Sequence, residues 1–178
     1  VKFRWDPDLS VLWAGQRSYP ATFRRGSARD HIPAGEPFLD QFPDYRMETR
    51  AACVMFENQW NLSTIWGDAT YSSNRMTAEM RPFIEEPTHV EVGVLVPCAI
   101  EITIPAAEFD LPSGKVDLPE RTTILWGEPL GYVSVEEYQR LADIVMMLPT
   151  DCELPDGEWD TAEGFCDLLI TAGMAKTL

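Results

Sequence analysis

Hydroxyls, an amide, a carboxylate and a guanidinium crowd into DATYSSNR, Asp68 to Arg75. A serine nucleophile at Ser72 or Ser73 needs a base within hydrogen-bond reach and donors for an oxyanion. The chain has two histidines, His31 and His89, neither in a recognisable local motif, and it has no G-x-S-x-G elbow. His31 lies in a proline-rich stretch and His89 heads an apolar run, so both read as surface or capping histidines. The loop residues are also the usual content of a solvated hairpin end. No catalytic residue is assigned, and a small enzyme working through Asp68–Arg75 stands as a second reading.

Metal and cofactor chemistry finds little to build on. Cys53, Cys98, Cys152 and Cys166 form no C-x-x-C, and no histidine is close to any of them in sequence. A zinc site is therefore not expected, and all four read as reduced structural thiols. The acid-rich tail fails the calcium-loop pattern: counted from Asp151, the fifth position is Pro155 and the sixth, where glycine is required, is Asp156. Neither G-x-x-x-x-G-K nor G-x-G-x-x-G occurs, so no phosphate loop is expected either. The expected complement of cofactors and metals is none.

Two charged segments suit binding instead. From Asp151 to Asp167 the chain has seven acids and no base, with Trp159 and Phe165 among them. Acids steer a basic partner and an aromatic ring supplies contact area. Asp151, Glu153, Asp156, Glu158, Trp159, Asp160 and Glu163 are the candidate partner-binding residues. The competing reading makes these acids a dipole-favoured helix start, with Trp159 in the core. RSYPATFRRGSAR, Arg17 to Arg29, carries four arginines and no acid. Arg17, Arg24, Arg25 and Arg29 are candidate anion-binding residues, set against pairing with the chain's own acidic half.

The net charge of −15 favours that pairing, because it is unevenly spread. Residues 1–81 hold ten basic and ten acidic side chains; residues 82–178 hold four basic and nineteen acidic, which accounts for all of it. Such a chain repels nucleic acid over its second half and suits a basic protein surface, although acids also serve solubility. No apolar run approaches the ~20 residues that span a bilayer. The opening VKFRWDPDLS lacks the apolar stretch of a signal peptide, and the expected compartment is the cytoplasm.

These residues must be positioned by a fold, and 178 residues with 45% apolar content suffice for one core. The expected class is α+β: a mainly antiparallel sheet with two C-terminal helices packed on it, as a single domain over 1–178. Residues 1–50, rich in Pro, Gly and aromatics, predict short strands and tight turns, with Ala34-Gly35 as one turn. Residues 51–131 predict the central sheet, and 132–178 an acidic helical part. AACVMFE and WNLSTIW read as a hairpin closed by Asn58-Gln59, with Met55 facing Leu62 and Cys53 facing Thr64. Trp60, Leu62, Thr64 and Trp66 then share one apolar face. HVEVGVLVP points Val90, Val92, Val94 and Val96 one way; AIEITIP and RTTILWG predict further strands.

Ser134-Val-Glu-Glu137 is a capping box with Val133 and Tyr138 placed as a staple. Tyr138, Leu141, Ala142, Val145 and Leu148 mark the buried face, and Pro149 stops the helix. A second helix starts after Asp160, buries Phe165, Leu168 and Leu169, and ends near Gly173.

Gly67 with Tyr71, Val90 to Leu95, and Gly131 to Glu137 follow a recognisable order. This layout of strand, G-x-x-x-Y loop, strand and G-Y-V-S-x-E-E helix start resembles small uncharacterised proteins of actinobacterial phages. The resemblance covers roughly the middle 80 residues. It implies a phage or mobile-element origin and brings no activity with it. Eleven arginines against three lysines fit a GC-rich genome. The expected function is a non-enzymatic acidic protein that docks on a basic host or toxin protein and inhibits it. The same charge pattern would also suit an immunity protein that neutralises a toxin, or an assembly protein that self-associates as a homo-oligomer. No direct nucleic-acid or membrane partner is expected.

Overall fold

The computed structural model describes residues 1–27, 48–67, 70–73, 85–98, 103–105, 115–117, 122–125, 128–150, 155, 157 and 159–176. The protein is α+β: a curled antiparallel sheet with two C-terminal helices packed against it. The strands are β1 (Phe3–Asp6), β2 (Val11–Ala14), β3 (Arg17–Ser27), β4 (Glu48–Met55), β5 (Asn61–Gly67), β6 (His89–Cys98), β7 (Thr103–Pro105), β8 (Lys115–Asp117), β9 (Thr122–Leu125) and β10 (Leu130–Ser134). Helix α1 runs Val135–Met146 and α2 runs Ala162–Thr171. The sheet order is β1-β2-β3-β4-β5-β6-β10; β9 pairs the far end of β6, and β7 pairs β8 separately.

Alternation explains which side of the sheet is covered. Ala52 and Val54 of β4, Leu62, Thr64 and Trp66 of β5, and Val90, Val92 and Val94 of β6 are all buried, with Val96 partly so. Their odd–even neighbours face the other side, where Asn61, Glu91 and Gly93 are also buried. Tyr138 of α1 lies at the centre of this face. Its ring meets Phe3 of β1 edge-on at 5.3 Å and Tyr19 of β3 at 5.6 Å, and its hydroxyl is 3.2 Å from Thr64 Oγ1 on β5. One side chain can touch strands this far apart in the sheet only if the sheet curls around the helix.

The β4–β5 hairpin differs from expectation by one residue. Val54 faces Leu62 and Ala52 faces Thr64, so Met55 points outward and is 66% exposed. The turn holds three residues, not two: Phe56 N donates to Trp60 O, Gln59 N donates to Phe56 O, and Gln59 takes the left-handed conformation at φ 70°. An added loop residue shifts the pairing and exchanges the faces of β4. The Trp60–Trp66 face is as expected.

The first strands are not all short. β3 has eleven residues despite Pro20. Pro20 sits where β3 passes from pairing β2 to pairing β4, so its missing N–H breaks little of either ladder. Within AIEITIP, Thr103–Pro105 is a strand, and RTTILWG contributes Thr122–Leu125. Ala34-Gly35, Ile100 and Ile102 lie outside the described residues.

Helix α1 starts with the full capping box: Ser134 N donates to Glu137 Oε2 at 2.8 Å, and Glu137 N donates to Ser134 Oγ at 3.3 Å. Its expected face, Tyr138 to Leu148, is buried. Helix α2 is capped by Thr161, whose hydroxyl accepts from Gly164 N at 3.1 Å, one residue later than Asp160 allows. Phe165 and Leu169 are buried as expected, but Cys166 is buried where Leu168 is only partly so. Gly173, at φ 74°, closes the helix: its N–H reaches Ile170 O while Met174 N reaches Leu169 O. No helix among the described residues is long and apolar enough to cross a membrane.

Candidate interaction surface

The two helices place acids along a shared groove. Glu136 and Glu137 lie in the first turn of α1, where the dipole favours them. Glu137 is committed to the cap; Glu136 points to solvent. One turn later Arg140 reaches across to α2, donating to Asp167 Oδ1 at 2.9 Å, with Glu163 Oε1 at 3.9 Å. Glu163 and Asp167 are four residues apart and so share a helix face. They remain 73% and 61% exposed, so this ion pairing contributes at most about 1 kcal/mol.

Glu136, Glu137, Arg140, Ala162, Glu163 and Cys166 line an open cavity of about 230 Å³. With Asp167, four carboxylates surround one guanidinium, leaving three negative charges. At the floor, burial pushes the Cys166 thiol up to about 11, against the opposing charge of Arg140. The thiol is therefore neutral at physiological pH and a poor nucleophile or ligand. The groove can accept cationic groups at its rim; it offers no general base at its floor.

Of the candidate partner-binding residues, Glu163 stands exposed at the groove and Asp160 is exposed just ahead of the α2 cap. Trp159 is half-buried: its ring packs edge-on against Phe165 at 5.1 Å and against the core. Asp151, Glu153, Asp156 and Glu158 lie outside the described residues. Arg17 is engaged within the chain, donating from Nη1 to Asp143 Oδ2 at 2.8 Å and pairing Nη2 with Oδ1. Its guanidinium also sits 5.7 Å from the Tyr19 ring. Arg24 and Arg25 lie in β3 opposite Ala51 and Arg50, and Arg29 is outside the described residues.

The polar loop acts as a latch. Ser72 is buried; its Oγ accepts from Gly67 N and lies 2.8 Å from Thr70 Oγ1. Ser73 Oγ donates to His89 O and accepts from Thr88 N at 3.1 Å. His89 Nδ1 is 3.0 Å from Thr88 Oγ1. Tyr71 N donates to Glu91 Oε2 at 2.7 Å, and Tyr71 O accepts from Tyr132 N at 2.6 Å. These bonds tie the end of β5 to β6 and β10. Among the described residues no group of three His, Cys, Asp or Glu side chains is placed to hold a metal ion. Asp68, Asn74 and Arg75 lie outside them.

Two residues with structural roles have no clear sequence signal. Asn58, expected as the turn former, instead donates from Nδ2 to Val145 O and Leu148 O, closing the C-terminal end of α1 from 87 and 90 residues away. Arg140 reads in sequence as an ordinary surface cation; its spacing from Glu137 and the acids at 163 and 167 is the available clue. No protein-family model, curated protein or solved structure matches this chain.

Proposed function

We propose that the protein is a non-enzymatic interaction module whose acidic helical face docks on a basic protein surface. The observation that carries this reading is the exposed set of Glu136, Glu163 and Asp167 around the α1–α2 groove, within a half-chain that holds all of the −15 charge. Long-range attraction of that size steers a cationic partner and speeds association. Inhibition of a basic host or toxin protein is the specific role we assign, in keeping with the phage-like layout of the central strands. The latch role of Ser72 and Ser73 favours this reading over an enzyme at the polar loop.

Capture experiments test the reading. The wild-type chain should retain a basic protein at low salt and release it at high salt. Replacing Glu163 and Asp167 together by lysine should weaken capture at low salt severalfold and blunt its salt dependence, while the fold persists by circular dichroism. Retention equal to that of wild type would overturn the assignment of this face.

A further inference from the structure

Tyr71 and Tyr132 form an aromatic pair that the fold holds outward at visible conformational cost. Strand β10 contains a bulge: Leu130 faces Val92 while Val133 faces Val90, so one extra residue is accommodated between them. Both Leu130 and Val133 remain buried, and Tyr132 is thrown outward with 48% of its surface exposed. Its φ is 52°, a left-handed conformation that disfavours a bulky side chain. Tyr71, 50% exposed, meets it edge-on at 6.2 Å.

The backbone beneath is fixed by the bonds from Tyr132 N to Tyr71 O and from Tyr71 N to Glu91. Gly131 is required for the approach, since a Cβ there would lie 2.8 Å from Tyr71 Cβ. Strain kept at an exposed aromatic residue is a mark of function. Glu91 of β6 is itself buried, and its carboxylate accepts from the Tyr71 amide beneath the pair.

The geometry points to a receptor for one guanidinium or ammonium side chain of a basic protein partner. Ring faces attract cations, and the buried Glu91 holds the Tyr71 backbone that presents one of them. The same chemistry operates inside this chain, where Arg4 covers Trp13 at 5.3 Å. Charge complementarity with the −15 chain selects a cationic occupant over an apolar one. This inference rests on the basic-partner reading and adds a second anchor, two residues ahead of the Ser134 cap.

Calorimetry with octa-arginine amide and its neutral octa-citrulline isostere tests it. Wild type, Tyr132→Gly, Tyr132→Asn and Tyr132→Phe are compared at about 0.1 M and about 0.3 M salt, where the Debye length falls from about 10 Å to under 6 Å. Glycine and asparagine both tolerate the left-handed conformation, so their melting temperatures should match or exceed that of wild type. Their affinity for octa-arginine should fall about three- to fivefold at both salt concentrations, the size of one lost cation–ring contact at an exposed site. Tyr132→Phe should stay within about twofold, because the ring face is kept.

If wild type and Tyr132→Gly bind octa-arginine equally, the aromatic receptor is wrong and the acidic-face reading survives. If wild type does not bind it at all, both fall. Equal binding of octa-citrulline overturns the cationic occupant. A wild-type dimer that Tyr132→Gly dissolves assigns the pair to a second copy instead.

Discussion

Trp66 has no surface left in solvent, and among the described residues its indole N–H has no hydrogen-bond partner. Both facts bear on its substitution. Trp66→Ala removes a large buried side chain and leaves a cavity, at an expected cost of about 3–5 kcal/mol in urea unfolding. Trp66→Phe also removes the unsatisfied donor, so it should cost clearly less. An equal cost for both would mean that the indole nitrogen is satisfied. At Cys166, burial raises the folded-state pKa to about 11 from an ordinary value near 9. Between these two values the unfolded chain loses the proton and the folded chain keeps it. Stability from this group is therefore complete below about pH 9 and declines as pH rises toward 11. Cys166→Ala should flatten that part of the stability profile. An unchanged slope would show that the thiol titrates normally.

At the scale of elements, Asn58 joins the β4–β5 turn to the end of α1 through two carbonyls. Asn58→Ala should cost about 1–3 kcal/mol, because two acceptors lose a donor together. A change under about 0.3 kcal/mol would mean that water replaces the amide fully. The Ser134 box should behave as a local device: Ser134→Ala is expected to cost about 1 kcal/mol.

These two elements also mark what the sequence conveys. The capping box and the Trp60–Trp66 alternation are legible because each depends on neighbours a few residues away. The hairpin register is not legible. It depends on Gln59, rather than Asn58, taking the left-handed conformation, which leaves the Asn58 amide to bond residues far along the chain. The Arg140 bridge, the Tyr71–Tyr132 pair and the Ser73 bonds to Thr88 and His89 likewise join segments that only the fold brings together. In α2, Cys166 takes a core position while the half-buried Leu168 lies against Gly157, a contact with the segment ahead of the helix that its periodicity does not reveal.

At the scale of the whole molecule, the sheet curls round α1, and α2 adds its carboxylates on the outer side of that helix. The basic N-terminal segment is partly consumed internally, since Arg17 is paired with Asp143. Among the described residues, Glu136, Glu163 and Asp167 leave the α1–α2 groove acidic around Arg140, and under the proposed reading a cationic surface would approach there. Charge acts at a distance and packing acts at contact, so the two predict different kinetics. The most direct measurement is the association rate with the captured basic partner, by stopped flow, across salt concentration. It should be made for wild type and for a chain with Asp160, Glu163 and Asp167 replaced by lysine. The account predicts a wild-type rate that falls steeply as the Debye length shrinks from about 10 Å at 0.1 M to about 3 Å at 1 M. It also predicts a slower, nearly salt-independent rate for the replaced chain, with dissociation little changed. Equal association rates for the two chains at low salt would contradict it, and would reduce the acidic face to a means of staying in solution.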